Sequence, residues 1–588
     1  MRECAPDPGD LENRIRQLAQ VDLPDFNRVC NEARSVASQL RIGRTAFFDK
    51  YDCASELEYK RQCVQGGRIM YHAHIGLNDI HATAKALKTI HQRLDQQGFR
   101  MDRAGFALDR RMGLPASLRN LAAAETGPML ACNEDWMDLA QAAPIQPHLG
   151  DFMIGQPESF ANTLQALRIG CTTVGNLSQF FSFEAPGWTD RVATSAETVK
   201  AIALLSALRA DGTMLHSYLE DGYGALFQHC STVAAWAMLE RYIVEELLGA
   251  KLTHCIGGLT SDPIKRAGWV LALQAIHQGE LVGSMIYGDT ISFGSDFDRN
   301  RAVTGEYLLW DILTQIHSPS GHAVLPLPVT EAIRIPSADE ILEAQCFGRQ
   351  VEKTAARLFP FVDFSAAQAF ADKVTEDGAR VFQNALNGLH EGKVDIRNPL
   401  QLLYVLKQLG AQAFESLYGY GLEQEETNQT DMYLLSQREI AEYRPLFATH
   451  EMREKMRGLR LLLASTDVHE HAIGALAQLL SEAGAEIIYL GAEQTPQDLI
   501  ACLAIETVDA LLLSTHNGMA LDYARQLKSA MDARDLRLPV VIGGVLNQKV
   551  AHQALPVPVF EELTGLGFHP AIALPNLPKL LSSYTGKT

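Results

Sequence analysis

The motif Asp467-Val468-His469 places an imidazole two residues after a carboxylate, directly behind the apolar run 459–464. A helical pattern follows over 471–484. A histidine in this position would lie at the carboxyl end of a parallel strand, the edge at which open α/β sheets bind ligands. One nitrogen of a neutral imidazole can bind a metal ion while a carboxylate accepts a hydrogen bond from the other, which orients the ring. His469 is therefore a candidate metal ligand and Asp467 its partner.

Two simpler interpretations of this motif stay open on these residues alone. Asp467 could cap the helix that follows, with His469 a surface histidine. His469 and His471 could also belong to a zinc site, although the sequence shows no further cluster with zinc-ligand spacing. The elements that follow the motif bear on this choice.

Short apolar runs and helical patterns alternate after the motif. Strands are predicted at 486–490, 510–514 and 539–542, and a helix opened by Thr-Pro over 495–505. This alternation predicts a doubly wound parallel sheet. Ser514 and the pair Gly543-Gly544 would then lie at the same strand ends as the motif, and glycines there let a ligand approach the backbone closely.

Three separated segments carry a resemblance to a known family: Asp467-Val468-His469-Glu470-His471-Ala472, Ser514-Thr515-His516 and Gly543-Gly544. They resemble the Asp-x-His-x-x-Gly, Ser-x-Leu and Gly-Gly motifs of the cobalamin-binding domains of mutases and methionine synthase. The likeness is closest to the small subunit of glutamate mutase. Two positions depart from the pattern, because Ala472 replaces a glycine and His516 a leucine.

This resemblance implies a specific mode of cofactor binding. His469 would replace the cofactor's own nucleotide base as the lower axial ligand of cobalt, with Asp467 orienting the ring. The displaced nucleotide tail would be buried past Ser514 and over Gly543-Gly544.

The composition is that of a globular protein with an acidic surface. The chain has 588 residues, 47% of them hydrophobic, and a formal net charge of −19, which argues against nucleic acid or an anionic membrane surface as a partner. The ten cysteines show no Cys-x-x-Cys spacing, so free thiols are expected rather than a zinc ribbon or an iron–sulfur cluster. No signal peptide and no run of roughly 18 apolar residues is visible, so we expect a soluble, cytoplasmic protein.

The pattern along the chain predicts an α/β fold in four segments. Residues 1–65 read as helices. Repeated strand–loop–helix units over 66–337 predict a (β/α)8 TIM-type barrel, with candidate strands at 68–72, 144–148, 169–174, 212–218, 251–257 and 281–288. Residues 338–457 read as a helical extension that contains a charged linker at 423–428. The flavodoxin-like, doubly wound cobalamin-binding domain is expected over 458–588.

The barrel segment resembles the large subunit of glutamate mutase. The likeness is clearest around 222–273 and at Glu331-Ala332-Ile333-Arg334-Ile335-Pro336. In that family the glutamate of the second motif touches the ribose of an adenosyl group, so the resemblance implies this role for Glu331. The family's lysine four residues earlier is Leu327 here.

The substrate end departs from the family pattern. Of the three arginines with which that subunit holds two carboxylates, one is retained as Arg110 or Arg111, because a guanidinium can pair a carboxylate bidentately. The other two positions fall on His72 and His148, which could equally be packed core histidines. The family's glutamate and tyrosine fall at about Thr173 and Gln179. Glutamate is therefore not the expected substrate.

Together these features predict an adenosylcobalamin-dependent carbon-skeleton mutase that rearranges a small carboxylate-bearing substrate by a radical route, with a homodimer as one candidate assembly. A methylcobalamin-dependent corrinoid methyltransferase is the alternative from another enzyme class. A cobalamin-binding sensor without catalytic activity is the third.

Overall fold

The computed structural model describes the chain except for residues 1–7, 78, 123–126, 280–282, 423–424, 467–470, 493, 517, 549–556, 572–576, 578–579 and 582–588. The described residues fall into two compact units, one that extends to Met432 and one that begins at Tyr433. We call them the N-terminal unit and the C-terminal unit. The boundary lies inside the segment 338–457 that the sequence pattern predicts as a helical extension.

Eight strands in chain order form the centre of the N-terminal unit, and all their pairings are parallel. They are β1 (His72–Ile75), β2 (Arg103–Phe106), β3 (Gln146–His148), β4 (Thr173–Gly175), β5 (Met214–Tyr218), β6 (Leu252–Ile256), β7 (Gly283–Ile286) and β8 (Ala323–Val324). β1–β3 form one sheet, and β4–β8 form a second sheet that is a half-barrel. Isolated parallel bridges join Leu149 to Val174 and Tyr71 to Val324.

The predicted strands and the observed ones differ mainly at the short elements. The runs predicted at 144–148, 169–174, 212–218, 251–257 and 281–288 overlap β3 to β7, whereas β1 begins at His72, where the predicted run 68–72 ends. β2 and β8 are not predicted. β2 contains an arginine and a glycine and β8 has only two residues, so neither forms an apolar run.

Helices connect and cover these strands. Asp79, Asp190, Asp262 and Asp296 cap four of them, each accepting hydrogen bonds from backbone N–H groups of the first turn. The helices are α1 (Pro8–Leu18), α2 (Phe26–Ala37), α3 (Ala46–Tyr51), α4 (Glu56–Gln65), α5 (Ile80–Asp95), α6 (Asn133–Gln141), α7 (Ser159–Arg168), α8 (Ser178–Ser182), α9 (Arg191–Ala207), α10 (Cys230–Arg241), α11 (Pro263–Ile276), α12 (Phe297–His317), α13 (Ala338–Leu358), α14 (Ser365–Glu391), α15 (Pro399–Leu409) and α16 (Ala411–Tyr418). Helix α17 (Asp431–Phe447) spans the boundary between the units.

The C-terminal unit is built on a five-stranded parallel sheet. Its strands are β9 (Arg460–Ser465), β10 (Glu486–Gly491), β11 (Ala510–Thr515), β12 (Val540–Gly544) and β15 (His569–Ala571), and a short antiparallel pair is formed by β13 (Asn547–Gln548) and β14 (Val557–Pro558). Its helices are α18 (His450–Met456), α19 (His471–Glu482), α20 (Pro496–Leu503), α21 (Ala520–Ala533) and α22 (Phe560–Gly565). The strand order β10-β9-β11-β12-β15 is that of a flavodoxin-like doubly wound fold.

Burial on both faces explains why the strands of this sheet were recognisable in the sequence. Leu461 and Leu463 of β9 pack into the hydrophobic cluster on one face, and Leu462 and Ala464 pack into the cluster on the other. A parallel strand covered on both faces is apolar at every position rather than at alternate ones. The predicted strands β9 to β12 are confirmed, and β15, which reads His-Pro-Ala, was not predicted.

Among the residues that the structure describes, none of the helices has the length and apolar character needed to cross a membrane.

Candidate functional site

Four histidine rings lie together in the N-terminal unit, and we call His72, His74, His148 and His216 the histidine cluster. His72 and His74 come from β1, His148 from the end of β3 and His216 from β5. The ring centroids are 4.9 Å apart for His72 and His74, 5.8 Å for His72 and His148, and 4.6 Å for His148 and His216. All but His74 are buried. The structure thus brings together the two predicted histidines, His72 and His148, and adds two that were not predicted.

Glycines on the intervening strands make room for these rings. A Cβ atom on Gly105 of β2 would lie 2.8 Å from Nε2 of His72 and 2.9 Å from Cε1 of His74. A Cβ atom on Gly175 of β4 would lie 2.6 Å from Cβ of His216. No side chain larger than hydrogen fits at either position without displacing a ring, so the strands are built around the histidine cluster.

A set of buried charges lies on the amino-terminal side of the cluster. Arg103 lies two residues before Gly105 on β2, in register with His72. Its Nε lies 2.9 Å from Oε1 of Glu56, and its Nη1 donates to the carbonyl oxygen of Ser284 at 2.8 Å. Lys60 donates to the same carbonyl and lies 3.5 Å from Oε1 of Glu56. We call Arg103, Lys60 and Glu56 the charged floor. Two cations and one carboxylate leave it with a positive charge.

The surroundings keep the imidazoles of the cluster neutral. Burial, followed by the charge of Arg103, holds the pKa values of His72, His148 and His216 well below their ordinary range. The same causes lower the pKa of His74 to about 4. Each neutral ring offers one N–H donor and one nitrogen acceptor, so the cluster can bind a ligand by hydrogen bonds but supplies no ion pair of its own at neutral pH.

The two candidate arginines lie on a short 3-10 turn, Arg110–Gly113, that follows β2. Arg111 donates from Nε to Oδ1 of Asp109 and from Nη2 to Oδ2, both at 2.9 Å. Asp109 is itself buried. The guanidinium fork of Arg111 is therefore occupied by Asp109, the residue that precedes its own turn.

Thr173 and Gln179, which the resemblance places opposite a glutamate and a tyrosine, carry neither a charge nor an aromatic ring. Thr173 is buried at the start of β4. Gln179 donates from Nε2 to Oδ1 of Asp151 at 3.2 Å and to Oδ2 of Asp221 at 2.9 Å, while its Oε1 accepts the N–H of Phe152 at 2.9 Å. Burial raises the pKa of Asp151 to about 6. These carboxylates make the carboxyl-terminal edge of β3 to β5 acidic.

Glu331 lies in the turn after β8, at the carboxyl ends of the strands. Burial and, to a smaller extent, the neighbouring carboxylate of Glu340 raise the pKa of Glu331 to about 7. Leu327, which the resemblance places opposite a lysine, is buried and supplies no cation. Glu331 is accordingly suited to donate or accept a hydrogen bond near neutral pH.

In the C-terminal unit, Ser514 is paired in register with Gly543 on one side and with Ser465 on the other. All three lie near the carboxyl ends of their strands, the edge of the sheet at which the sequence predicts the ligand. The carbonyl oxygen of Ser514 accepts the N–H of Thr466 at 2.9 Å, which holds the residue after β9 beside these strand ends. Asp467 and His469 follow immediately and lie outside the described residues. Their predicted roles therefore continue to rest on the sequence.

The backbone conformation at position 544 requires a glycine, whereas the conformation at position 543 does not. Gly544 has φ +94°, and a Cβ atom there would lie 2.3 Å from the carbonyl oxygen of Thr515. A Cβ atom on Gly543 would make only an ordinary contact, 3.5 Å from the carbonyl oxygen of Ala571. Gly544 and Val545 are exposed, so bare backbone at this edge is accessible to a ligand.

The zinc alternative includes His469, which lies outside the described residues. Among the residues that the structure describes, no group of three or more histidine, cysteine, aspartate or glutamate side chains is arranged to hold a metal ion. Nε2 of His471 instead lies 2.8 Å from Oε2 of Glu439 on α17, a pairing that ties the start of α19 to that helix.

The comparison with protein families agrees with this geometry. Residues 460–559, which contain the sheet edge, match the family model of the B12 binding domain. The chain belongs to the B12-binding domain family. The exposed backbone at Gly544 fits a cofactor of this kind, and a cobalamin is accordingly the cofactor of the C-terminal unit.

Two individual proteins are similar to the B12-binding domain. The chain is 32% identical over 96 residues to the 2-hydroxyisobutanoyl-CoA mutase small subunit of Aquincola tertiaricarbonis, a match that covers 16% of this chain and 71% of that subunit. A solved structure of a cobalamin-binding protein from Desulfitobacterium hafniense DCB-2 matches 26% of this chain and 77% of that chain, with 21% sequence identity and a TM-score of 0.20.

The B12-binding domain was predictable from its motifs, but several residues of the other site were not. The sequence did not predict His74, His216 or the charged floor as parts of a site. The pair His72-x-His74 was a usable signal, because residues two apart on a strand point to the same side. No comparable signal marks Arg103 or His216, whose importance comes from the strands beside them.

Proposed function

We propose that this protein is an adenosylcobalamin-dependent carbon-skeleton mutase that acts on a small carboxylate-bearing substrate other than glutamate. One observation carries the proposal: a B12-binding domain similar to a mutase small subunit is joined, in one chain, to a unit of eight parallel strands with polar side chains at their carboxyl ends. Mutase similarity favours this function over a methyltransferase or a sensor.

We also propose that the eight strands of the N-terminal unit close into a (β/α)8 barrel. The isolated bridges between Leu149 and Val174 and between Tyr71 and Val324 support closure, because they join the two sheets at both of their edges. Arg103 supports it further, since it extends from β2 to the backbone of Ser284 on β7. In such a barrel the catalytic face is formed by the loops after the strands.

Within this proposal each candidate residue has a separate task. When bound, adenosylcobalamin supplies a radical by homolysis of its cobalt–carbon bond, which removes a hydrogen atom from the substrate. His469, oriented by Asp467, would hold the cobalt, and Ser514, Gly543 and Gly544 would house the nucleotide tail. Glu331 would hydrogen-bond the ribose of the adenosyl group.

The residues at the strand ends argue for the substrate class. His72 and His148 stand where the resemblance implies arginines, and their neutral rings cannot balance the second negative charge of a dicarboxylate. Arg110 remains the candidate guanidinium for one carboxylate. Burial of most of the histidine cluster also keeps water from the reacting centre, as a radical reaction requires.

The test uses the purified full chain with adenosylcobalamin and a panel of small carboxylic and amino acids. A mutase should show substrate-dependent changes in the visible spectrum and radical signals by electron paramagnetic resonance, together with a rearranged product. Methylcobalamin turnover with a methyl acceptor would instead establish a methyltransferase. Tight cobalamin binding with neither reaction across the panel would favour a sensor and contradict the proposal.

A further inference from the structure

The residues just before the boundary between the two units are held along the N-terminal unit. We call residues 428–431 the anchor segment. Oδ1 of Asn428 accepts the N–H of Ser231 at 3.1 Å and the hydroxyl of the same residue at 2.7 Å. The hydroxyl of Thr430 donates to the carbonyl oxygen of Phe227 at 2.8 Å. Because Asn428 and Thr430 are both buried, the anchor segment is part of the packed N-terminal unit.

Asp431, the last residue of the anchor segment, binds the loop that follows β6. We call residues 257–262 the β6 loop. Oδ2 of Asp431 accepts the N–H groups of Ser261 and Asp262 at 2.7 and 2.8 Å, and Nζ of Lys265 donates to Oδ1 at 2.6 Å. The side chains of Lys265 and Asp431 are only 7% and 11% exposed. A charge pair so far removed from water, with backbone N–H groups as further partners, is costly to break.

Two buried charged side chains hold the β6 loop itself. Glu220, which follows β5, accepts the N–H of Gly257 at Oε2 and the hydroxyl of Thr260 at Oε1, both at 2.6 Å. Nη1 of Arg266 donates to the carbonyl oxygen of Thr260 at 2.8 Å. Arg266 is held in turn by both carboxylate oxygens of Asp311 on α12, at 3.0 and 2.7 Å. The β6 loop is therefore a firm attachment point for Asp431.

Asp431 is also the first residue of α17, and the rest of that helix belongs to the C-terminal unit. Ile440 and Phe447 lie in the hydrophobic cluster on one face of the five-stranded sheet. Arg444 donates to both carboxylate oxygens of Glu482 on α19, at 2.8 and 3.0 Å. One continuous helix is thus fastened at its first residue to the β6 loop and along its length to the core of the B12-binding domain.

We propose that Asp431 is a positioning residue: by holding the start of α17 on the β6 loop, it fixes the point from which the chain continues into the B12-binding domain. That point lies on the side of the N-terminal unit where the strands end. A tether sets the effective concentration of the domain it carries through its length and stiffness, so release of Asp431 should loosen the domain without altering its cobalamin site. The inference rests on the proposed function for one point, that this side is the catalytic face.

The experiment compares the full-length wild type with Asp431→Ala and Lys265→Gln, without cobalamin or substrate. Amide hydrogen exchange, followed by mass spectrometry, measures the protection of the N–H groups of Ser261 and Asp262. Small-angle X-ray scattering measures the radius of gyration of the same samples.

Asp296→Ala is the matched control for Asp431→Ala. Asp296 also accepts two backbone N–H groups, those of Asp298 and Arg299 at 3.0 and 3.1 Å, but both belong to its own helix α12. The control therefore removes an aspartate with a similar set of hydrogen bonds from the start of another helix of the same unit.

Asp431→Ala should speed the exchange of both amides by roughly tenfold to hundredfold, the change expected for the loss of a hydrogen bond to a charged group, and should increase the radius of gyration. Lys265→Gln should change both quantities in the same direction but less, because the two N–H donors keep their acceptor. It remains a test if Asp431→Ala fails to fold. Asp296→Ala should leave the exchange at 261–262 and the radius of gyration as in the wild type.

Two results would overturn the proposal: unchanged exchange of both amides in Asp431→Ala and Lys265→Gln, or faster exchange with an unchanged radius of gyration. Because cobalamin and substrate are absent, the outcome is independent of the mutase test. Where the mutase reaction is found, Asp431→Ala should lower kcat by roughly tenfold or more, the effect of a misplaced reacting group, with KM and the Kd for cobalamin unchanged. A wild-type kcat in this variant would refute the positioning role, whereas a loosened domain in a chain without mutase activity would retain the attachment and remove the proposed function.

Discussion

Arg111 pairs with Asp109 in a bidentate arrangement: Nε donates to Oδ1 and Nη2 donates to Oδ2, both at 2.9 Å. Arg110 is its neighbour on the same 3-10 turn. The side chain of Arg111 is therefore committed to the loop after β2, and within the proposed function Arg110 is the candidate to contact a substrate carboxylate.

This difference predicts separable effects of two substitutions. Arg111→Ala removes the guanidinium that pairs with the buried carboxylate of Asp109 and should lower the free energy of unfolding by about 1–3 kcal/mol, with little effect on KM. Arg110→Ala should raise the KM of a carboxylate substrate by about fivefold, which corresponds to the loss of roughly 1 kcal/mol for a partly exposed charge. Urea denaturation and steady-state kinetics measure the two quantities. Equal effects of both variants on KM would contradict the assignment.

The cobalt ligand can be tested spectroscopically. With 15N-labelled histidine, the cob(II)alamin form of the wild type should show superhyperfine coupling to a protein imidazole, and His469→Ala should lose it, since His469 is the proposed ligand. His471→Ala is the control, because the ring of His471 is paired with Glu439 at 2.8 Å. Coupling that persists in His469→Ala and disappears in His471→Ala would show that His471, and not His469, is the cobalt ligand.

Gly544 provides a test of the sheet edge. Gly544→Ala introduces a side chain at φ +94°, and its Cβ would overlap the carbonyl oxygen of Thr515. We expect a loss of about 1–2 kcal/mol in the free energy of unfolding of the C-terminal unit from the backbone conformation alone, together with weaker cobalamin binding. Thermal denaturation and a visible-absorption titration with cobalamin measure these effects.

Gly565→Ala is the matched control for Gly544→Ala. Gly565 lies at the end of α22, and a Cβ atom there would meet nothing within 4 Å. This substitution should change stability by no more than about 0.5 kcal/mol and leave cobalamin binding as in the wild type. Similar losses in the two variants would show that glycine at 544 has no special role.

Glu331 should make the stability of the N-terminal unit depend on pH. Its pKa in the folded protein is raised to about 7, so between about pH 4.5 and about pH 7 the folded state retains a proton that the unfolded state has released. Stability should therefore fall as the pH rises through this window and stay level above it. Glu331→Gln removes the ionisable group and should be more stable than the wild type at about pH 8, with no such gain at about pH 4.

Urea denaturation at both pH values measures this difference. Glu306→Gln serves as the control, because Glu306 is exposed on α12, and it should show the same difference from the wild type at either pH. A Glu331→Gln variant without its gain at the higher pH would show that the carboxyl group ionises normally in the folded chain.

How much could be predicted from the sequence differs between the two units. In the C-terminal unit, β9 is apolar over 461–464 and β11 over 510–513 because both faces are covered, and such a continuous apolar run is visible without knowledge of the partner strands. In the N-terminal unit, β2 carries Arg103 and Gly105 on its inward side. Arg103 takes part in a buried ion pair, and Gly105 makes room for the histidine rings. Neither residue is apolar, so the sequence of β2 shows no apolar pattern.

The candidate site shows the same contrast. His72 and His148 were candidates because of their positions at strand ends, and His74 shares the side of His72 by its two-residue spacing. His216 lies within β5, with nothing in its local sequence to distinguish it from a packed core residue. Only the approach of its ring to within 4.6 Å of His148 assigns it to the cluster.

The sequence by itself determined the B12-binding domain, because the residues that identify it are short motifs whose chemistry is local: a histidine beside a carboxylate, and glycines where backbone must stay bare. Only the tertiary structure decided which arginine is committed to Asp109 and which four imidazoles share one neutral environment. Pairing, burial and pKa depend on side chains contributed by strands and helices far apart in the chain, and their distances exist only once the chain is folded.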